Sequence, residues 1–256
     1  YEIHVRDLTM DDTWTGESPR GTYQAFAEPG TTYTQNGKTV TTGFDHIEEL
    51  GVKAIQILPF FDNDNDETNY KFNWGYNPVN YNCLEGGYSV DPHDGELRVK
   101  EFKNLVKAYA TNDNKTRVIM DVVYNHVSTA SNSCFTKIMP RYFFRFDENW
   151  NYYDGSGCSN EVRTEAKMMR KYIVDSVLWW ASEYKIKGFR FDLMGLIDTE
   201  TMRAVKDSLY KLDKDIVVWG EGWTAAGYHG EEGTAGVFTG DVYSKLYATT
   251  DSPGHI

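Results

Sequence analysis

Short apolar runs alternate with longer helical patterns along this chain, and that alternation narrows the fold to parallel βα units. Five runs read as strands: Tyr1–Val5, Val52–Leu58, Arg117–Val123, Gly188–Asp192 and Ile216–Gly220. Several are almost continuously apolar, as strands covered on both faces are. Between them Phe44–Leu50, Glu96–Tyr109, Thr164–Tyr184 and Thr199–Leu212 repeat apolar residues at helical spacing, with Thr199 expected as an N-cap. The expectation is an α/β fold, a partial (β/α)8 TIM barrel in which residues 1–256 supply about the first five βα units as one domain. Thr224–Ile256 is rich in Gly, Thr and Ser and offers no sixth strand. The barrel therefore reads as unfinished at Ile256, with further domains expected in the same polypeptide and the isolated stretch expected to be catalytically poor.

Two connections are too long for turns. Residues 59–95 follow the second strand and residues 128–163 the third, so both leave C-terminal strand ends, where parallel α/β folds place their sites. The net charge of −12 argues against a nucleic-acid partner, which requires a basic face. A neutral polymer fits better. The 18 Tyr, 13 Phe and 7 Trp include many in polar, Gly-rich stretches, where a ring with a polar tip suits the half-apolar face of a sugar. Half-exposed packing is the plainer reading for most of them. No apolar run reaches the roughly eighteen residues of a membrane span. The chain begins at Tyr1 already in a strand-like pattern, so an export signal would lie upstream. Localisation stays open between secreted or cell-surface and cytoplasmic. Cys83, Cys134 and Cys158 lack zinc spacing; Cys134 and Cys158 flank one loop, and both a disulfide and free thiols fit.

Three strand ends carry ionisable clusters: Asp121-Val122-Val123-Tyr124-Asn125-His126, Gly188-Phe189-Arg190-Phe191-Asp192, and Trp219-Gly220-Glu221-Gly222-Trp223. Strand side chains alternate, so Arg190 and Asp192 share one direction while Phe189 and Phe191 face the helices. A guanidinium beside Asp192 is expected to lower its pKa and keep it an anionic nucleophile. If the last two strands are neighbours, about 4.8 Å apart, Asp192 and Glu221 can approach the roughly 5–5.5 Å carboxyl separation of retaining glycosidases. Glu221, between Trp219 and Trp223, would then be a general acid with a pKa raised by desolvation. Asp121 and His126 lie one strand away, placed to position a ring by hydrogen bonds. Asn125 could offer its oxygen to calcium, although too few other ligands are identifiable to define a site. Each group alone is as readily a self-satisfied strand-end residue; the set in order is more specific.

These clusters resemble the short conserved regions of the alpha-amylase family, glycoside hydrolase family 13, and Gly51-Val52-Lys53-Ala54-Ile55-Gln56-Ile57-Leu58-Pro59 resembles its second barrel strand. Within the family, Phe72-Asn73-Trp74-Gly75-Tyr76-Asn77-Pro78 is similar to a signature of type I pullulanases, with Phe72 in place of a Tyr. Leu193-Met194-Gly195 after the nucleophile is also pullulanase-like, where many alpha-amylases carry a Lys-His pair. The resemblance implies Asp192 as nucleophile and Glu221 as acid/base. It also implies Tyr76 stacking on the sugar at the cleaved bond, Trp74 shaping the pocket, and Asp121, His126 and Arg190 lining the adjacent subsite. Met194 and Trp223 are expected at the substrate as well. The family's fourth region, with its third essential acid, has no counterpart in residues 1–256. The implied activity is retaining hydrolysis of α-1,6-glucosidic bonds in pullulan, limit dextrins or glycogen, with no organic cofactor. The alternatives are an isoamylase or α-1,4-acting amylase, or a non-catalytic glucan-binding fragment.

Overall fold

The computed structural model describes residues 1–222, so Trp223 and the Gly/Thr/Ser-rich tail lie outside the described residues. Five parallel strands form one sheet in the order β1-β4-β7-β8-β9. They are β1 (Glu2–Ile3), β4 (Ala54–Ile57), β7 (Arg117–Val122), β8 (Gly188–Phe191) and β9 (Val217–Gly220). All five expected strands are present, each shorter than its apolar run. Sequential strands are spatial neighbours, the arrangement of a barrel opening, and the molecule is an α/β fold with a partial (β/α)8 barrel.

The helices cover this sheet because their apolar stripes have nowhere else to go. Helix α3 (Gly95–Thr111) is capped by Asp94, whose carboxylate accepts from Glu96 N and Leu97 N, and it buries Phe102, Leu105, Val106 and Tyr109. Helix α5 (Lys167–Glu183) buries Met169, Ile173, Val177 and Trp180. It starts three residues later than the sequence suggests. Thr164 and Glu165 are drawn out of the helix by Arg145, which donates to Thr164 Oγ1 at 3.3 Å and to Glu165 Oε2 at 2.6 Å. Helix α6 (Thr199–Leu212) is capped by Asp198 and not by Thr199: the Asp198 carboxylate accepts the Thr201 N–H at 2.9 Å.

Neither long connection is structureless. The first holds an antiparallel pair, β5 (Phe61–Asn63) and β6 (Pro78–Leu84), and the second a short helix α4 (Cys134–Ile138). The segment between β1 and helix α2 (Gly43–Glu49) contains a short helix α1 (Tyr23–Phe26) and a hairpin, β2 (Thr32–Gln35) and β3 (Lys38–Thr41). Asn36 and Gly37 turn that hairpin at φ 51° and 74°, the Asn-Gly signal that sequence reading passed over. Cys83, Cys134 and Cys158 are free thiols, so the disulfide reading does not hold. No helix among the described residues is long and apolar enough to cross a membrane.

Trp180 ties helix to loop. Its fully buried indole lies 5.7 Å from Phe60 and 5.9 Å from Phe61, and Nε1 donates to the Tyr81 carbonyl at 3.3 Å. Helix α5 thereby fixes both strands of the β5/β6 pair beside the C-terminal ends of the barrel strands. Trp180→Ala is expected to lower unfolding stability by about 3–5 kcal/mol, read by urea denaturation; a loss below 1 kcal/mol would count against this anchoring.

Candidate active site

Parallel register delivers the ionisable residues to one place. Asp121 of β7 is opposite Arg190 of β8, and Phe191 is opposite Gly220 of β9. Asp192 and Glu221 follow one residue later on neighbouring strands, with Glu221 N donating to Phe191 O and Asp192 N to Val122 O, both at 2.9 Å. The backbones come so close here that a Cβ on Gly220 would sit 2.5 Å from the Phe191 carbonyl oxygen. Alternation works as expected: Phe189 and Phe191 are buried in the core, and Arg190 faces the opposite way.

Arg190 organises three carboxylates. Its Nη1 donates to Asp121 Oδ1 and Asp192 Oδ1 at 2.9 Å each, and its Nη2 lies 3.3 Å from Glu221 Oε2. Asp121 also accepts the Tyr76 hydroxyl at 2.8 Å. Asn125 Nδ2 donates to Asp192 Oδ2 and to the Asp192 carbonyl, both at 2.9 Å. Glu221 Oε2 accepts the Leu193 N–H at 3.1 Å, with Leu193 held in a left-handed turn at φ 38°. A side chain in that region is strained, and here the strain aims an N–H at a catalytic candidate.

Burial outweighs pairing in the electrostatics. Desolvation raises the Asp192 pKa, against Arg190 and the Asn125 amide; Glu221 adds to the rise. The expectation that Arg190 leaves Asp192 below the ordinary carboxylate range is thus corrected. Asp121, completely buried, is pushed up to about 7 by desolvation, with Arg190 opposing. Burial also lowers the Arg190 pKa, but Asp121 and Asp192 more than reverse this and hold it a cation. Desolvation pushes His126 down to about 4, only partly offset by the Tyr76 carbonyl, so the imidazole is neutral at neutral pH. Its Nδ1 is 2.6 Å from Asn125 Oδ1. Asn125 has turned its amide nitrogen to Asp192, which makes Nδ1–H the donor and leaves Nε2 a bare acceptor. That Nε2 is buried with no hydrogen-bond partner among the described residues.

Beside them opens a cavity of about 530 Å³, the size of a small-ligand site; Asp121 and Asn125 are fully buried and are not in its wall. Tyr76, Trp74, His126, Arg190, Asp192 and Glu221 are all in its wall. Trp74 is 62% exposed. Gly75 between Trp74 and Tyr76 adopts φ 89°, and a Cβ there would meet the Pro59 carbonyl at 2.5 Å, so the loop turns where only glycine fits. His4, just past β1, secures it: Nδ1 accepts Asp7 N, which leaves Nε2 to donate to the Asn73 carbonyl at 3.0 Å. Met194 is a correction. It is fully buried in the core behind the strand ends, and Leu193 takes the cavity position instead, because the left-handed turn at Leu193 swings the next side chain inward. Trp223 lies outside the described residues. Ser156 and Cys158 join the wall from the second long connection, which has no local signal in the sequence apart from its length.

The Asn125 oxygen, the one ligand atom the sequence offered to calcium, meets His126 Nδ1 at 2.6 Å. Elsewhere among the described residues Asp62, Glu67 and Glu85 bring carboxylate oxygens within 4.8 Å of one another. Arg98 Nη2 reaches Glu67 at 3.2 Å, and the Gly87 and Asn63 N–H groups donate to Glu85.

The alpha-amylase catalytic-domain family matches residues 25–153. A pullulanase of Bacillus subtilis is 38% identical over 229 residues, covering 88% of this chain and 31% of that protein. Pullulanase A of Streptococcus pneumoniae is 32% identical, covering 96% of this chain and 20% of its own length. The crystal structure of a Paenibacillus barengoltzii pullulanase in complex with maltohexaose and alpha-cyclodextrin is similar with a TM-score of 0.85 at 41% identity, over 96% of this chain and 38% of that one. The chain thus spans less than two fifths of the length of these relatives. It belongs to the alpha-amylase family of glycoside hydrolases and, within that family, is pullulanase-like.

Proposed function

We propose that this chain is the catalytic-barrel segment of a pullulanase-type debranching enzyme that hydrolyses α-1,6-glucosidic bonds in pullulan, limit dextrins or glycogen. The observation that carries the reading is the single guanidinium of Arg190, which holds Asp192 and Glu221 at the ends of adjacent strands in one cavity. Two carboxyls placed side by side at a glycosidic bond suit the retaining, double-displacement route. Asp192 is the nucleophile. Arg190 and the Asn125 amide favour its anionic form, so that it attacks the anomeric carbon as the glycosidic bond breaks. Glu221 donates its proton to the departing oxygen, then takes one from the water that releases the glucosyl–Asp192 ester.

The other residues position the sugar. The bare His126 Nε2 accepts from a sugar hydroxyl, which satisfies a buried atom that has no hydrogen-bond partner among the described residues. Tyr76, fixed through its hydroxyl to Asp121, offers its ring for stacking, and Trp74 shapes the mouth. Three carboxylates face one guanidinium, and burial raises the pKa of Asp121 and of Asp192 despite it. No organic cofactor and no metal is needed for this chemistry. Similarity to pullulanases favours this reading over an isoamylase or α-1,4-acting amylase.

The full-length polypeptide tests this directly. Digestion of pullulan should give maltotriose as sole product; panose, or no cleavage, would sink the debranching assignment. Asp192→Asn should abolish release of reducing ends, and Glu221→Gln should lower kcat by about 10²–10⁴-fold. Binding to amylopectin with no hydrolysis by the unmutated protein would instead indicate a non-catalytic glucan binder. Asn125→Ala removes an N–H that favours the Asp192 carboxylate, so the Asp192 pKa rises further. The acidic limb of the kcat/KM–pH profile should therefore move to higher pH; an unmoved acidic limb would rule out Asp192 as the group that must be ionised.

A further inference from the structure

The connection after β7 carries more than the cavity wall. Within it the chain doubles back, with antiparallel bridges joining Phe144 to Val162 and Phe146 to Tyr152. Asp147 makes the turn at the tip. Its Oδ1 accepts the Asn149 and Asn151 N–H groups at 2.8 Å each, its Oδ2 accepts the Asn151 amide at 2.9 Å, and its carbonyl accepts Trp150 N–H at 3.1 Å. Backbone and carboxylate thus account for the turn, and nothing in it requires an indole.

Trp150 nevertheless occupies the tip, 54% exposed, at φ 64°. Left-handed backbone favours glycine or asparagine over a bulky residue. The ring is also braced. Arg141, itself at φ 66°, sets its guanidinium carbon 4.2 Å from the indole centroid. Phe146 approaches the indole at 5.9 Å, and Tyr152 is 4.6 Å from Phe146. A large apolar ring is therefore held out in solvent by its neighbours, on a backbone that disfavours it.

We propose that Trp150 is a second contact for an α-glucan chain, a stacking platform outside the catalytic cavity; this rests on reading that cavity as glucan-cleaving. The chemistry matches a glucose ring, whose C–H face lies against an aromatic face while its rim hydroxyls meet polar groups. Asn149 and Asn151 flank Trp150 in the chain, and the Arg141 guanidinium lies over the indole, so polar groups adjoin the ring. The placement fits too, because the same connection continues into Ser156 and Cys158, which line the cavity with Trp74. A ring already braced loses little side-chain freedom when a sugar arrives. The platform holds a chain of a polymeric substrate while a branch point sits at Asp192 and Glu221.

The test is oxidative footprinting of the full-length Asp192→Asn protein with and without maltohexaose, read by mass spectrometry at Trp74 and Trp150. Protection of both indoles is expected. Protection of Trp74 alone overturns the platform and leaves the cavity reading standing. Protection of Trp150 alone supports the platform and counts against the cavity, and protection of neither overturns both. Kinetics give an independent check: Trp150→Ala should raise KM for amylopectin about 3–10-fold. Cleavage of the smallest branched oligosaccharide should be unchanged, and Trp150→Tyr should restore the polymer KM. An amylopectin KM unaffected by Trp150→Ala would refute the platform.

Discussion

The guanidinium of Arg190 is the point on which the rest of the site depends. Three carboxylates from three adjacent strands converge on it, and each would be costly to bury so close to the others without a cation between them. A point charge on a flexible stem would not replace it. The planar fork presents separate N–H groups to Asp121, Asp192 and Glu221 in fixed directions, which positions the two catalytic candidates as well as neutralising them.

Around that centre the long connections are fastened to strand ends by polar contacts that leave little slack. The Tyr81 hydroxyl donates to the His126 carbonyl at 2.6 Å, and Ser128 N donates to the Pro78 carbonyl at 2.9 Å, so the β5/β6 pair is tied to the chain leaving β7. Asn160 pairs with the backbone of Val127 in both directions, at 3.1 and 2.7 Å, and carries the Ser156–Cys158 wall against the strand end beside His126. The buried Arg145 reaches Glu161 and the Leu196 carbonyl, linking the same connection to the turn that follows Asp192. A cleft between strand ends thus acquires fixed walls, which a substrate must meet in one orientation.

The electrostatic state of the site follows from competition between desolvation and pairing. Asp121 is the most deeply buried of the three carboxylates and the one whose pKa rises to about 7. Burial raises the Asp192 pKa as well, against the guanidinium and the Asn125 amide. His126 is kept neutral by burial and oriented by Asn125, so one amide favours the anionic form of Asp192 and fixes the tautomer of its neighbour.

Much of this was legible in the residues themselves. Period-two alternation at Arg190 and Asp192, continuous apolar runs and the helical stripes determined the parallel barrel and the shared direction of the charged groups, because those are properties of local backbone geometry. The signature around Tyr76 marked the pocket loop. Tertiary structure decided what depends on the surroundings of a side chain. Burial reversed the expected fall of the Asp192 pKa, and a left-handed turn at Leu193 sent Met194 into the core. Asp198 replaced Thr199 as the cap, Arg145 delayed the start of α5, and Ser156 and Cys158 reached the cavity from a distant loop. Sequence encodes periodicity directly, but desolvation and long-range contacts exist only once the chain has closed around them.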